Sequence, residues 1–319
     1  MIDFTRRDFL RNATVAGAMT FGGPMMALPS LAGSARETGY YRYTIGDIKC
    51  TALYDGVWKK EHADDFIRNA SVAETKQALS KGGLSMEHVT IEFSQTLLET
   101  SGKKVLIDPG TGGQWVPTAG TMIQNMAGAG VAPGDIDTIL ISHFHPDHIF
   151  GMMEKETNAQ VFPDAEIIVP EAEFAFWTDP QVFTKLPKPW HGLVQRIQAT
   201  FPKWPNVRRV ASDVEVVPGI RSLSAPGHTP GHTAYHVSSG DAQLIVAGDV
   251  AITPALFVAN PGWQVTFDAD PERAEQTRRS LFDRVIADGA GIAGYHFGFP
   301  NAGKVLKDGS GYAFVPYAG

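Results

Sequence analysis

Short apolar runs, separated by Gly, Pro, Asp and Asn, punctuate much of the chain and predict strands. Residues 41–45 and 48–54 alternate polar and apolar positions around Gly46-Asp47, a hairpin signal. Residues 88–100 and 103–107 form a second hairpin around Ser101-Gly102, closed by the turn Asp108-Pro109-Gly110-Thr111-Gly112. The run 138–142 reads as a short buried strand, and 214–217, 220–223, 234–237, 244–247, 292–293 and 313–315 are further strands. Residues 121–129 read as a helix, while 171–177 and 193–200 begin and end a helical insertion. Asp270 supplies an N-cap and Pro271 a first-turn proline for a helix running to about Ala287. Two strand-rich halves, each followed by helices, make this an α/β chain.

The strand 138–142 leads directly into His143-Phe144-His145-Pro146-Asp147-His148. Three imidazoles and a carboxylate this close repel one another once protonated, and they resist burial. A divalent cation removes both problems, and imidazole nitrogen with carboxylate oxygen suits zinc best. A lone His is commonly a hydrogen-bonded core residue, but that does not account for this spacing. On an extended backbone alternate side chains share a face, so His143 and His145 can reach one ion together. Asp147 and His148 are adjacent and diverge, which fits a second ion beside the first.

With this motif the sequence resembles the metallo-β-lactamase superfamily, and the remaining motifs of that family occur in order. Gly227-His228-Thr229-Pro230-Gly231-His232 matches the second, Ala247-Gly248-Asp249 the third and Gly294-Tyr295-His296 the last. The resemblance implies that His143, His145 and His232 hold one metal and that Asp147, His148 and His296 hold the other. Asp249 would span both, with Asp249 and Asp147 as the catalytic carboxylates. His228 is left outside this set, as a supporting or solvent-facing residue. The implied fold is the αββα four-layer sandwich, and the implied cofactors are two divalent ions, zinc first, with Mn, Fe or Co as alternatives. Ligand groups that each follow a short apolar strand would gather at one sheet edge, a rigid place from which to hold an ion. Asp108, in the turn after 103–107, is expected either to support a metal-bound His or to bind its own turn backbone.

Composition narrows the class. With 43% hydrophobic and 19% charged residues, 319 residues suffice for a sizeable core, and ligands spread from 143 to 296 argue for one domain over 36–319. The formal charge of −7 disfavours a nucleic-acid groove, which needs a basic stripe. Thr5-Arg6-Arg7-Asp8-Phe9-Leu10-Arg11, followed by a glycine-broken apolar stretch, matches a twin-arginine export leader over residues 1–35. Its removal takes away three arginines and two aspartates and leaves −8. The expected location is therefore periplasmic or secreted, without a stable membrane anchor. Export of a folded chain suits a site that fills with metal before release. Cys50 is the only cysteine, so no internal disulfide can form and the residue is read as core packing.

Two cations held side by side would acidify a bridging water, and the resulting hydroxide would attack a carbonyl or phosphoryl centre. No further general acid is evident in the sequence, which favours leaving groups that depart with little protonation. Segments 39–42, 51–56 and 311–316 are similar to those of the methyl parathion hydrolase group, whose substrates are phosphotriesters, lactones and aryl esters. Trp115, Phe150, Trp177, Trp190, Phe257 and Trp263 are candidate walls of an apolar pocket. The alternatives are a mononuclear-iron enzyme like the persulfide dioxygenases and a non-catalytic metal-binding protein of the same fold. The hairpin at 41–54 offers a face for a homodimer.

Overall fold

The computed structural model describes residues 36–317. The expected leader over residues 1–35 therefore lies outside the described residues. Residues 40–210 build one seven-stranded sheet in sequential order, from β1 (Tyr40–Ile45) through β2 (Ile48–Lys60), β3 (Val89–Thr100), β4 (Lys103–Ile107), β5 (Thr138–Leu140) and β6 (Glu166–Pro170) to β7 (Val207–Val210). The second sheet takes the rest of the chain. It runs from β8 (Glu215–Val217) through β9 (Ile220–Ser224), β10 (Thr233–Ser239), β11 (Ala242–Gly248), β12 (Gly291–Gly294) and β13 (Ala302–Asp308) to β14 (Gly311–Pro316). Hairpins make β1–β4 antiparallel, and helical crossovers make β4–β7 parallel. The β11–β12 pair is parallel because the helix Pro271–Ala287 carries the chain back across the sheet.

Three apolar layers follow from that order. Between the sheets, Leu98, Val105, Leu140 and Ile168 meet Val217, Tyr235, Val237 and Leu244. Outside the first sheet, Leu106, Ile139 and Ile167 pack with the helices Met122–Gly128, Glu171–Thr178 and His191–Thr200. Outside the second, Ile245 and Ile292 pack with Leu281, Phe282 and Val285 of Pro271–Ala287. Helix, sheet, sheet and helix thus form the expected αββα sandwich. Among the described residues, no helix is long and apolar enough to cross a membrane. Cys50 is 1% exposed and sits in the inter-sheet core, where burial pushes its thiol up to about 12.

Two local differences from the sequence reading bear on function. The strand read as ending at Tyr54 continues to Lys60, across a register shift between Tyr54 and Gly56. Asp55-Gly56 looks like a turn in sequence, but here it is a bulge. Gly56 adopts φ 133°, and a Cβ there would collide with Thr118 and Ala119. The Asp55 carboxylate accepts from Thr111 N, Thr111 Oγ1 and Met122 N at 2.7–2.9 Å, and its carbonyl oxygen, out of the ladder at the bulge, accepts from Gly120 N at 2.7 Å. Strands β6, β7 and β13 also went unread, β7 for a plain reason. Its Arg208-Arg209 pair conceals the alternation, because an edge strand can carry charge toward water.

Candidate metal centre

The ends of β5, β11 and β12, with the loop between β9 and β10, converge at one edge of the sandwich. Three overlapping donor groups form there: His143 with His145 and His228; His143 with His148 and Asp249; and Asp147 with His148 and His296. Within each group the donor atoms all lie within 4.8 Å of one another.

Each ring is oriented from behind. His148 Nδ1 lies 2.9 Å from Asp108 Oδ2, and Asp108 also accepts from Ser142 N at 2.7 Å and Ser142 Oγ at 2.6 Å. His143 Nδ1 lies 2.9 Å from the same Ser142 Oγ. His296 Nδ1 reaches the Glu92 carbonyl oxygen at 2.8 Å. His228 Nδ1 contacts Asp268 Oδ1 at 2.9 Å, and buried Arg278 anchors Asp268 from the other side at 3.4 Å. A ring whose Nδ1–H is donated keeps its Nε2 lone pair free and forward-facing. Accordingly His148 Nε2 is 3.3 Å from Asp249 Oδ1, while His296 Nε2 and His228 Nε2 are 3.2 Å and 3.4 Å from Asp249 Oδ2. Asp249 therefore touches both halves of the cluster. His145 joins through Nδ1, 3.0 Å from His228 Nε2.

Of the two histidines of the second motif, the structure brings His228, not the expected His232, into a donor group. His232 Nδ1 contacts the Ala225 carbonyl at 3.1 Å, and its Nε2 accepts from Asp249 N–H at 3.0 Å. Its Nε2 lone pair is taken by a backbone N–H, whereas His228 Nε2 faces the other donors, and His232 belongs to none of the donor groups. His228 occupies the place assigned to it. The reason is positional: His232 is one residue ahead of β10 and lies in the sheet layer, whereas His228 rides the loop after Pro226-Gly227. His232 instead braces the Asp249 backbone.

The sequence reading also missed Glu173, which has no exposure and accepts four hydrogen bonds. Phe144 N and Gly231 N donate at 2.9 and 3.0 Å, and Trp177 Nε1 and Thr229 Oγ1 at 2.7 Å each. One carboxylate thus ties the first histidine motif to the second. A Cβ on Gly231 would strike the Glu173 backbone, so this approach requires glycine. Neither Glu173 nor Asp268 lies within any motif, and only the fold brings them near.

The electrostatics divide the rings. Burial, reinforced by neighbouring imidazoles, holds His143 and His145 well below the ordinary histidine value, and it pushes His232 down to about 3. Burial also opposes charge on His148 and His296, but Asp249 foremost and Asp147 overcome it. His148 is raised well above the ordinary value and His296 to about 9. Asp249 is held well below the carboxylate range despite its burial, by His296 and His148. Three buried atoms, His143 Nε2, His148 Nε2 and Asp249 Oδ1, have no hydrogen-bond partner. Orphaned lone pairs converging in one place fit a divalent cation in the chemistry of the donor set.

Above the cluster opens a pocket of about 510 Å³, counting its mouth. Trp58, Phe93, Trp115, Trp190, Ile252 and Phe267 wall it, and its only ionisable lining groups are His145, Asp147, His228, Asp249 and His296. Of the aromatics expected there, Trp115 and Trp190 take part. Trp177 and Phe257 are buried in the core, Phe150 lies under Arg196, and Trp263 packs against the second sheet's outer layer. Trp58 was hidden from the sequence reading by the bulge, which carries β2 onward to the pocket.

Known proteins place this geometry. Metallo-beta-lactamase domain-containing protein 1 of Xenopus laevis is 27% identical over 190 residues, which span 56% of this chain and 60% of that protein. The chain thus spans less than two thirds of the length of that curated relative. An N-acyl homoserine lactonase of a Bacillus species is 30% identical over 110 residues, 34% of this chain and 36% of the lactonase. The crystal structure of AbOPH, a hydrolase in the beta lactamase superfamily, superposes with a TM-score of 0.81 at 26% identity, covering 88% of this chain and 97% of its own. The superfamily's sequence profile matches residues 94–290, which hold every residue of the donor cluster except His296, and the chain accordingly belongs to the metallo-beta-lactamase superfamily.

Proposed function

We propose that the protein is a dinuclear metal-dependent hydrolase of small, uncharged, apolar ester-like substrates: a lactone, an aryl ester or a phosphotriester. The observation that carries this reading is the meeting of two buried donor groups at Asp249, beneath an aromatic-walled pocket. His143, His145 and His228 would hold one ion, Asp147, His148 and His296 the other, and Asp249 both. The donor set suits zinc ahead of manganese, iron or cobalt. When bound, such a pair supplies Lewis acidity toward a carbonyl or phosphoryl oxygen and acidifies water to near neutrality.

The chain's own residues do the rest. Asp249, where the two donor groups meet, would orient the attacking water and take a hydrogen bond from it. Asp147 is 14% exposed at its side chain and lines the pocket, so it is the carboxylate placed to serve the leaving group. The aromatic walls seat the apolar part of the substrate and exclude water, which strengthens every electrostatic contact inside. Among the described residues no Lys or Arg lines the wall, so the wall itself favours the uncharged, apolar part of a substrate. The Bacillus lactonase supports the lactone arm of the proposal, and the similarity of segments 39–42, 51–56 and 311–316 to the methyl parathion hydrolase group supports the phosphotriester arm. The complete second group of Asp147, His148 and His296 argues against a mononuclear centre.

Export through the Arg6-Arg7 leader, maturation near residue 35 to a single domain, and a homodimer through the 41–54 hairpin complete the proposal. Sequencing the N-terminus of the exported protein and measuring its mass in solution address these points. The activity is tested on lactones, aryl esters and phosphotriesters with chelated, reloaded and Asp249→Asn protein. At least one class should be hydrolysed in a chelator-sensitive way, with the variant folded but nearly inactive. Turnover that survives chelation would refute the reading.

A further inference from the structure

The second donor group is braced by one side chain that the proposed chemistry does not use. Tyr295 is 3% exposed, and its ring lies against the His148 imidazole with centroids 3.9 Å apart and planes 34° from parallel. It also meets the His296 ring at 4.8 Å, nearly perpendicular at 86°. The Tyr295 hydroxyl donates to the Asp147 carbonyl oxygen at 2.6 Å and accepts from Gln95 Nε2 at 2.8 Å. Gln95 is fully buried on β3, so the hydroxyl is anchored to the sheet rather than to the loop it serves. One residue therefore touches Asp147, His148 and His296 together.

This support matters because of where Asp147 and His148 sit. The helix that carries them, Pro146–Ile149, is a single turn and cannot hold two diverging side chains rigid by itself. Among the described residues Asp268 stands behind His228 and Glu173 behind both loops of the other donor group, while Ser142 serves His143 directly and His148 through Asp108.

Resting on the dinuclear reading, we infer that Tyr295 is a positioning residue that sets the affinity of the Asp147–His148–His296 site separately from its neighbour. Its hydroxyl decides whether the centre holds one ion or two at limiting metal. Metal-free wild type, Tyr295→Phe and Gln95→Leu are titrated with Co²⁺ against a chromophoric chelator, and the visible ligand-field bands are followed. Wild type should take two equivalents. Tyr295→Phe should keep the first within about threefold and bind the second about 10–100-fold more weakly, the scale for losing an outer partner of a ligand. Gln95→Leu leaves the ring in place and should shift the second step in the same direction by less, and it carries the test alone if Tyr295→Phe does not fold. Wild type that binds a single equivalent would sink the dinuclear reading itself. Two wild-type equivalents, with both steps weakened alike or neither changed in the variants, would overturn the role given to Tyr295.

Discussion

The contrast between His228 and His232 gives the sharpest quantitative expectation. His228→Ala deletes a donor that faces Asp249, whereas His232→Ala deletes a brace. In the first variant the contacts with Asp268 and with His145 Nδ1 are lost, and Arg278 still pairs with that carboxylate. The ring is buried like that of His232, so with its cavity the metal-free protein should lose about 3–5 kcal/mol. Its first metal equivalent should weaken by well over 100-fold, because losing a mere outer partner of a ligand already costs about 10–100-fold. His232→Ala costs similar stability but should spare the metal. It strands the buried Asp249 N–H, at about 1–3 kcal/mol, and opens a cavity where a ring with 1% exposure sat, for a total of about 3–5 kcal/mol. Both equivalents should remain, weakened at most as far as a loosened Asp249 allows. Urea unfolding of the metal-free variants reads the first quantity, and competitive zinc titration reads the second. Loss of an equivalent in His232→Ala, with both retained in His228→Ala, would refute the geometric argument.

Metal-free protein should be most stable near pH 6.5. The depressed values of His143, His145 and His232 favour the unfolded state as pH falls below 6.5, while the stability that the His296 proton contributes is lost as pH rises from 6.5 through about 9. Thermal unfolding of chelated protein across this range checks the maximum. Leu140→Ala, at a fully buried inter-sheet position, should cost about 2–5 kcal/mol in urea unfolding without changing metal stoichiometry. Cys50, with its thiol pushed up to about 12, should resist alkylation at pH 8 until the protein unfolds, which mass spectrometry across a urea series would show. Trp58→Ala should raise KM for apolar substrates more than it lowers kcat in steady-state kinetics, because Trp58 walls the pocket without touching the donor atoms.

What the sequence could determine is what is written locally. Hairpins around Gly46-Asp47 and Ser101-Gly102, the capped helix at Asp270-Pro271, and the buried strands before each ligand loop depend on neighbours a few residues apart, so their pattern is legible in one dimension. The crowding of His143, His145, Asp147 and His148 announces a cation by the same logic. Tertiary structure decided everything that depends on a neighbour distant in sequence. Whether His228 or His232 turns its lone pair inward depends on Asp268 and on the carbonyl of Ala225. The union of the histidine loops depends on Glu173. Trp58 reaches the pocket because a bulge at Gly56 keeps β2 going where the sequence reads a turn. An imidazole looks the same in sequence whether it ligates or braces. Only the partner on its far nitrogen settles which, and the fold supplies that partner from elsewhere in the chain.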